Sequence, residues 1–545
     1  MSSFTRSDAL DALATTQFDV VVVGAGMTGA GAALDAASRG LRVALVDAGD
    51  IGSGTSSKSS KMVHGGLRYL QQKEFRLVHE NLRERQRLLE NAPFLVRPLP
   101  FLIPLFGSNG VASKAIVKGY ATALRFYDWG GGWRIGHRYR KITRDEAIGY
   151  LPTLRADRLV AGFLYYDARG DDARVALLAT RTAALDFGAV VANYVRVIAL
   201  EHGADGHVRG VKVRDERRGE HFTITTRSVI NATGVWADQV IAMATDAPSA
   251  TITPAKGVHI SVPSARLPAS VAAVFSVPDD RRSVFVVPFD DAPYTFVGTT
   301  DTAYDGNLDE PMCTADDVAY LLNAVNASTD SALTVDDVTG VWAGLRPLLA
   351  PPEGKRLSQR TADLSRRHRV TDGGDGVIHV TGGKWTTYRQ MAQDAVDAVG
   401  RYVGRSPVRT KSLRFHGVGS WQPSNDAETH LYRRFGQDAT VILSMIDTDR
   451  TLAVAPIVGQ PYVLAEFRYS AQYEMALSLV DLLTRRTRAH LHDARATLAA
   501  APQIARVVAD DLGWNATETE SQIAAYAELV AREFAAAGLP DGATR

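Results

Sequence analysis

Short apolar runs alternate with glycine turns in the first fifty residues. Residues 18–23 (FDVVVV) form a continuous β-branched run, typical of a strand buried on both faces of a parallel sheet. The run continues as GAGMTGAGAALDAASRG, which predicts a turn and then a helix that ends near Gly40. Residues 41–47 (LRVALVD) are a second apolar run. This order predicts a βαβ unit.

The rest of the chain predicts two further kinds of structure. Prolines 93, 98, 100 and 104 predict an irregular stretch. Beyond about residue 405 the pattern is mostly helical. Short strands separated by loops, which predict an antiparallel sheet, are expected at 159–166, 189–199, 208–214, 222–231, 258–262, 283–288 and 294–299, and a last strand at 377–381. We therefore expect an α/β plus α fold, with residues 1–404 forming a first region and 405–545 a helical cap.

Composition excludes several classes of protein. The chain has 545 residues, of which 46% are hydrophobic and 22% charged, as in a folded soluble protein. Its 61 Lys and Arg against 60 Asp and Glu argue against a global attraction to nucleic acid. A single cysteine, Cys313, excludes an intrachain disulfide or a multi-thiolate metal site and favours a cytoplasmic location. No apolar run is long enough to predict a spanning helix.

The first glycine turn has the spacing of a dinucleotide site. Gly24, Gly26 and Gly29 form GxGxxG directly after a predicted strand, where a pyrophosphate could meet the backbone at a helix N-terminus. Asp47 follows about 20 residues later, at the end of the next strand, where a carboxylate could bind ribose hydroxyls. The alternative is a turn needed only for packing.

Two later turns indicate which dinucleotide is bound. Ala232, Thr233 and Gly234 follow a predicted strand and could meet the cofactor, which favours FAD over NAD. The segment GGKWTT, beginning at Gly382 and Gly383, predicts a helix N-terminus aimed at anionic charge, such as that of a reduced flavin. Each turn alone could be structural, but the three together reinforce the prediction of FAD.

Several longer segments carry more specific patterns. They are TSSKSSKMVHGGLRYL (55–70), YDARGDDARV (166–175), INATGVWAD (230–238), KGVHI (256–260), VGTTD (297–301), GLRPL (344–348), LSRRH (364–368), GGKWTTYR (382–389) and LTRRTR (483–488). In these segments, the chain resembles the FAD-dependent glycerol-3-phosphate dehydrogenase family, in order and spacing from about residue 18 to about 536.

The resemblance implies a fold and a reaction. The fold would be a Rossmann-type FAD-binding domain interleaved with an antiparallel substrate domain, as in D-amino-acid oxidase, followed by the helical cap. The reaction would be oxidation of sn-glycerol 3-phosphate to dihydroxyacetone phosphate by hydride transfer to FAD, with electrons passed to a membrane quinone. The enzyme would lie peripherally on the inner face of the cell membrane, and a homodimer is possible.

The resemblance also implies site residues. A phosphate dianion needs fixed cations, and hydride transfer needs a base for the hydroxyl proton, for which His259 is the candidate. The implied catalytic residues are His259, Arg346 and Lys384. Substrate binding would add Arg68, Tyr69 and Arg366. The expected FAD-binding residues are Gly24, Gly26, Gly29, Asp47, Thr55, Ser56, Ser60, Lys61, His64, Gly65, Gly66, Ala232, Thr233, Gly234, Asp301, Gly382, Gly383, Lys384 and Thr386.

Other functions have weaker support. A glycerol-3-phosphate oxidase that uses oxygen stays open, because no motif decides access to the reduced flavin. An amine or amino-acid oxidase of the same fold would need a carboxylate clamp instead of a phosphate cluster. A flavin-binding module for RNA is disfavoured by the near-zero net charge. No metal site is expected, because His490 and His492 lie in an arginine-rich helix, expected to be exposed, without a third ligand.

One basic, aromatic segment could contact a membrane. Such a segment can lie at the lipid interface, although an ordinary solvated face is the alternative. Between residues 112 and 142, the cations are Lys114, Lys118, Arg125, Arg134, Arg138, Arg140 and Lys141, and the aromatic residues include Tyr120, Phe126, Tyr127, Trp129 and Trp133.

Overall fold

The computed structural model describes residues 4–67, 69, 74–107, 113–244, 251–277, 280, 282–350 and 367–540. The strands are β1 (Val20–Val23), β2 (Val43–Val46), β3 (Met62–Val63), β4 (Val96–Phe106), β5 (Arg140–Thr143), β6 (Leu159–Gly170), β7 (Val190–Ala192), β8 (Val195–His202), β9 (Val208–Asp215), β10 (His221–Thr225), β11 (Val229–Asn231), β12 (Ile252–Pro263), β13 (Ala272–Ser276), β14 (Ser283–Pro288), β15 (Tyr294–Gly298), β16 (Thr302–Ala303), β17 (Gly340–Leu349), β18 (His368–Asp372) and β19 (Val377–Gly382).

Helices cover the parallel sheet and make up the C-terminal part. The longer ones are α1 (Arg6–Thr15), α2 (Met27–Ser38), α3 (Phe75–Asn91), α4 (Lys114–Trp129), α5 (Arg144–Tyr150), α6 (Asp172–Leu185), α7 (Ala237–Ala244), α8 (Ala315–Asn326), α9 (Tyr388–Val403), α10 (Asp426–Phe435), α11 (Ala439–Thr448), α12 (Leu464–Tyr473), α13 (Ala494–Leu512) and α14 (Ala516–Ala537). Short 3₁₀ turns include Thr55–Ser57, Gly132–Ile135, Gly234–Trp236 and Trp385–Thr387.

A six-stranded sheet holds the predicted βαβ unit. Its order is β18-β19-β11-β1-β2-β7, and all neighbours are parallel except β18 and β19. The four valines of β1 are buried, as the apolar run predicts. Helix α2 packs between α6 and α9, and Gly31 permits this contact because a Cβ there would lie 2.6 Å from the Tyr388 ring. The Rossmann-type prediction is confirmed.

A larger, mostly antiparallel sheet is interleaved with the parallel one. Its path is β16-β12-β15-β14-β13-β4-β6-β3, with β17 paired to β12 and β5 to β6. Strands β12 and β17 pair from Ile252↔Leu349 to Ser261↔Gly340, which places His259 opposite Trp342. These strands fall in the sequence between members of the parallel sheet. The predicted antiparallel sheet, interleaved with the Rossmann-type domain, is therefore confirmed.

The prediction of an irregular stretch between prolines 93 and 104 is wrong. Most of it is β4, which pairs with β6 from Val96↔Gly170 to Phe106↔Leu159. Pro98, Pro100 and Pro104 are separated by even numbers of residues. Their missing N–H groups therefore all fall on one edge of the strand. On the edge that faces β13, pairing covers only two residues of β4, Phe101 and Leu102. A strand can therefore form despite the prolines.

The predicted helical cap begins after α9, and the predicted boundary lies at Gly404. Helices α10 to α14 share one continuous apolar core with the large sheet, to which Val258, Phe435 and Ile504 all belong. This packing attaches the cap to the antiparallel sheet over a broad surface.

Buried ion pairs join the cap to the part of the molecule that holds the parallel sheet. Arg486 donates to both carboxylate oxygens of Asp50, at 2.7 and 2.8 Å, and Arg485 to one of them at 2.6 Å. Arg488 bonds to Asp172 at 2.5 Å. The expectation that this arginine-rich segment is exposed is wrong, because its guanidinium groups pair with buried acids. His490 and His492 are consequently buried as well.

Candidate active site

A cavity of about 820 Å³ lies beside the carboxyl ends of β1, β2, β11 and β19 and extends under β12 and β17. The first glycine turn forms one wall. Gly24 has φ 99°, and a Cβ at Gly29 would lie only 1.7 Å from the Gly24 carbonyl oxygen. These glycines bring the start of α2, with its free amide donors, to the cavity, as an anion site requires.

Asp47 lies at the predicted position after β2. Its carboxylate accepts from the backbone N–H groups of Ala25 at 2.6 Å and Gly49 at 2.8 Å. Burial raises its pKa to about 6, although both hydrogen bonds favour the ionised form. Because Asp47 lines the cavity and retains acceptor capacity, it could bind ribose hydroxyl groups.

The second glycine turn contacts the first, and the third lines the same cavity. A Cβ at Gly24 would lie 2.8 Å from the Ala232 carbonyl oxygen, so these two turns are in contact. Gly382 and Gly383, both with positive φ, end β19 and lead into α9 through a 3₁₀ turn. Residues of all three turns line one cavity. The residues therefore fit an extended dinucleotide such as FAD.

His259 lies on β12 at the cavity wall. Its Nε2 is 2.8 Å from the Ser60 hydroxyl oxygen, and its ring stacks on Trp342 with centroids 4.8 Å apart. Its Nδ1 has no hydrogen-bond partner in the described part of the chain. Burial, together with the charges of Lys61 and Arg346, holds the His259 pKa well below its usual range. The imidazole is therefore neutral at neutral pH.

Arg346 and Lys384 place two cations in the same cavity. Arg346 donates to the Asp301 carboxylate at 2.9 Å and to the Thr300 carbonyl at 3.1 Å. A Cβ at Gly257 would lie 2.7 Å from the Arg346 guanidinium, so glycine makes room for it. The Lys384 ammonium lies 3.9 Å from the centroid of the Tyr69 ring. Asp301, predicted to bind FAD, thus orients Arg346.

Residues of the loop that follows β2 face two different cavities. Lys61 has φ 54°, and its ammonium bonds to Asp172 and to the Ser57 carbonyl, both at 3.2 Å, so that it faces a second cavity. Gly65 and Gly29, both predicted to bind FAD, lie in packing contacts: Gly65 packs against Tyr127, and Gly29 against Gly24. Arg68 and Arg366 lie outside the described residues. The predicted loop residues that do line the first cavity are Thr55, Ser56, Ser60, His64 and Gly66, together with Thr386.

Lys58 is a lining residue that sequence reasoning missed. No hydrogen bond or ion pair joins its ammonium to any other residue that the structure describes, and burial lowers its pKa. It stands in the middle of the loop TSSKSSK, whose neighbouring residues were predicted to bind FAD. Its place between Ser56 and Ser60, both predicted to bind FAD, is the sequence signal that could have found it.

Comparisons with known proteins agree with this geometry. A family model described as FAD dependent oxidoreductase matches residues 19–389, and one described as the C-terminal domain of alpha-glycerophosphate oxidase matches residues 373–519. Glycerol-3-phosphate dehydrogenase 2 of Mycobacterium tuberculosis is 40% identical over 555 aligned residues, covering 98% of this chain and 92% of that protein. The chain belongs to the FAD-dependent glycerol-3-phosphate dehydrogenase family.

Two more distant members of this family cover most or all of the chain. The human mitochondrial glycerol-3-phosphate dehydrogenase is 34% identical, over 93% of this chain and 72% of that protein. The crystal structure of the glycerol-3-phosphate dehydrogenase from Bacillus halodurans, complexed with FAD, matches all of both chains at a TM-score of 0.77 and 27% identity. The chain is thus an FAD-dependent oxidoreductase, and FAD is its cofactor.

Proposed function

We propose that this enzyme oxidises sn-glycerol 3-phosphate to dihydroxyacetone phosphate. The observation that carries the proposal is that Arg346 and Lys384 line the same cavity as His259 and the three glycine turns. A phosphate dianion and a developing alkoxide both need fixed positive charge, and two cations supply it. Family membership supports the same substrate.

The proton of the substrate hydroxyl goes to His259. Oxidation of a secondary alcohol removes two electrons with the carbinol hydrogen and one proton from oxygen. FAD, when bound, supplies the two-electron acceptor. His259 is neutral and can take the proton, while the Ser60 hydroxyl and the stacked Trp342 hold its ring in place. Lys384 or Arg346 lowers the barrier by stabilising the alkoxide.

Substrate orientation depends on how Arg346 is held. Its bonds to Asp301, Thr299 and the Thr300 carbonyl fix the plane of the guanidinium before substrate arrives. A guanidinium held in a fixed plane attracts the phosphate from a fixed direction, which orients the carbon chain. Tyr69 lies against Lys384 and can donate to a substrate oxygen. Arg68 and Arg366 stay predicted contributors to this cluster.

Anaerobic absorbance spectroscopy tests the proposal directly. We expect sn-glycerol 3-phosphate to bleach the bound flavin, whereas glycerol, glycine and the opposite enantiomer leave it unchanged. Bleaching by glycine would support an amino-acid oxidase instead. Flavin that no phosphate substrate reduces would overturn the proposed substrate.

We further propose a membrane quinone as the electron acceptor. The alternative is oxygen, in a glycerol-3-phosphate oxidase. Reoxidation of the reduced enzyme by a quinone analogue should be faster than reoxidation by air, with little peroxide formed. Stoichiometric peroxide would assign the enzyme as an oxidase.

The basic, aromatic segment supports a membrane-facing surface on the cytoplasmic side. Phe126, Trp129 and Trp133 are 54%, 83% and 54% exposed, and we call them the aromatic face. Tyr127 points inward and bonds to Asp167. Exposed aromatic rings next to exposed lysines and arginines suit the interface of an anionic membrane. Among the described helices, none is long and apolar enough to cross a bilayer.

Vesicle co-sedimentation tests the aromatic face. Replacing Trp129 and Trp133 by Ser should lower binding to vesicles that contain phosphatidylglycerol. Val458→Ser is the matched control, because Val458 is also 83% exposed but lies in the C-terminal cap. Equal binding of both variants would place the membrane contact elsewhere.

A further inference from the structure

A second cavity, of about 380 Å³, lies between the large sheet and the C-terminal cap. Of the residues that the structure describes, none lines both cavities. Its polar lining is rich in guanidinium groups. The charged residues and histidines that line it are Lys61, Arg97, Arg169, Asp171, Arg174, Asp290, Asp291, Asp426, His430, Arg433, Arg434, Arg488 and His492.

Most of these charges are already paired with one another or with buried neighbours. Arg174 bonds to Glu474 at 2.6 Å. Lys61 and Arg488 share Asp172, while His430 bonds to Glu466. Asp171 caps α6 and lies 3.3 Å from Arg488, and Asp291 accepts from the Tyr462 hydroxyl and faces Arg434 and His492. The remaining arginines of the lining are Arg97, Arg169 and Arg433, which we call the arginine cluster.

Two of these three are direct cross-strand neighbours. Arg97 on β4 pairs in register with Arg169 on β6. Like charges directly opposite each other on neighbouring strands are unfavourable. A single carboxylate, that of Asp290, bonds to both guanidinium groups. The Arg97 Nε has no hydrogen-bond partner among the residues described.

Arg433 on α10 is the third member. It is exposed, and within the described ranges it has neither a hydrogen bond nor an ion pair. Arg433 lines the same cavity as Arg97 and Arg169, and its charge adds to burial in lowering the pKa of both. The nearby carboxylates are those of Asp290 and of Asp426, at the first turn of α10, together with that of Asp291, which also faces Arg434 and His492.

The same cavity also has an apolar wall, made by Leu95, Val287, Phe289 and Pro461. We propose that it binds a small organic anion, whose phosphate or carboxylate group is held by Arg97, Arg169 and Arg433 and whose carbon part lies on this wall. Guanidinium groups bind both kinds of anion through paired N–H donors. This site does not depend on the proposed substrate.

Isothermal titration of the holoenzyme with inorganic phosphate tests the site, with flavin absorbance followed in parallel. Phosphate that binds near the flavin changes its spectrum, whereas phosphate in the second cavity does not. We expect Arg433→Gln to weaken the spectrally silent binding about tenfold or more. Arg506→Gln, which removes an exposed arginine of α13, should have no effect. Identical titrations for the two variants would overturn the proposal.

A second arm separates a soluble anion from a lipid headgroup. Binding to phosphatidylglycerol vesicles should be equal in wild type, Arg433→Gln and Arg506→Gln if the occupant is a free molecule. If Arg433→Gln lowers vesicle binding but leaves the titration with free phosphate unchanged, the cluster is a headgroup site and the proposal of a soluble ligand is wrong.

Discussion

The cofactor cavity and the interface with the C-terminal cap handle buried charge in opposite ways, as two neighbouring aspartates illustrate. Asp47 faces the cavity and, among the residues described, accepts hydrogen bonds from backbone N–H groups alone, and burial raises its pKa to about 6. Asp50 faces the interface, where Arg486 and Arg485 outweigh burial and hold its pKa well below its usual range. One carboxylate is left for a ligand, and the other is saturated by the protein.

This difference separates residues that serve chemistry from residues that serve assembly. In the cofactor cavity, Lys58, Asp47 and His259 keep polar atoms available. At the interface, paired charges stabilise the contact, and removing one partner leaves a buried charge uncompensated. Substitutions on the two sides should therefore change different observables, the rate constants on one side and the free energy of unfolding on the other.

The largest effect is expected at His259. His259→Gln removes the group that receives the hydroxyl proton, and should slow flavin reduction by about 10²- to 10⁴-fold. Stopped-flow absorbance under anaerobic conditions measures this rate. Flavin content and the urea midpoint should match wild type. A rate within a factor of two of wild type would exclude His259 as the base.

The pH dependence of the wild-type reaction is a second test of His259 as the base. Because burial lowers the His259 pKa, the imidazole stays neutral as pH falls through its ordinary value of about 6.5. The rate of flavin reduction at saturating substrate should therefore stay level through about pH 6.5 and decline only at lower pH. An inflection at the ordinary value would contradict the role of burial.

On the interface side, Asp50→Asn should destabilise the fold. It leaves the buried Arg485 and Arg486 without their shared carboxylate, at a cost of about 3–5 kcal/mol in the free energy of unfolding. Urea unfolding measures this change. Asp447→Asn breaks an exposed pair with Arg450 and should cost less than about 1 kcal/mol. Equal costs would show that the interface charges are no more important than surface ones.

His492 should make the interface sensitive to acid. Burial lowers the pKa of His492 to about 4 in the folded chain. Between this pH and the ordinary value, the unfolded chain is protonated at His492 and the folded chain is not. Stability is therefore lost as pH falls from about 6.5 toward 4, by roughly 3 kcal/mol. His492→Gln should flatten this dependence in urea unfolding, whereas His221→Gln, at an exposed position, should not.

The smallest effect is expected at Lys58. If its ammonium meets the substrate phosphate, Lys58→Met should raise KM about tenfold, or about 1.4 kcal/mol, and leave kcat unchanged. Lys58→Arg should restore most of the affinity. A loss of bound FAD with an unchanged KM would show instead that Lys58 holds a phosphate of the cofactor.

What could be predicted from the sequence follows the same division. The turns at Gly24, Ala232 and Gly382 were found because a strand, a glycine and a helix follow one another within a few residues. The burial of Arg486 and His492 could not be predicted from the sequence, because their partners lie hundreds of residues away. A segment rich in arginine, considered by itself, predicts an exposed helix. Strand β4 was missed because proline spacing matters only once its neighbouring strand is known.

The pairing of Asp50 with Arg485 spans 435 residues. At about 5–20 residues per second, a ribosome takes roughly 20–90 s to complete that interval. For most of this time the βαβ unit is outside the ribosome, but the loop that follows it still lacks the guanidinium groups that neutralise Asp50. Stable capture of the cofactor should therefore await release of the finished chain, and nascent chains that stop short of Arg485 should be open to proteolysis at this loop.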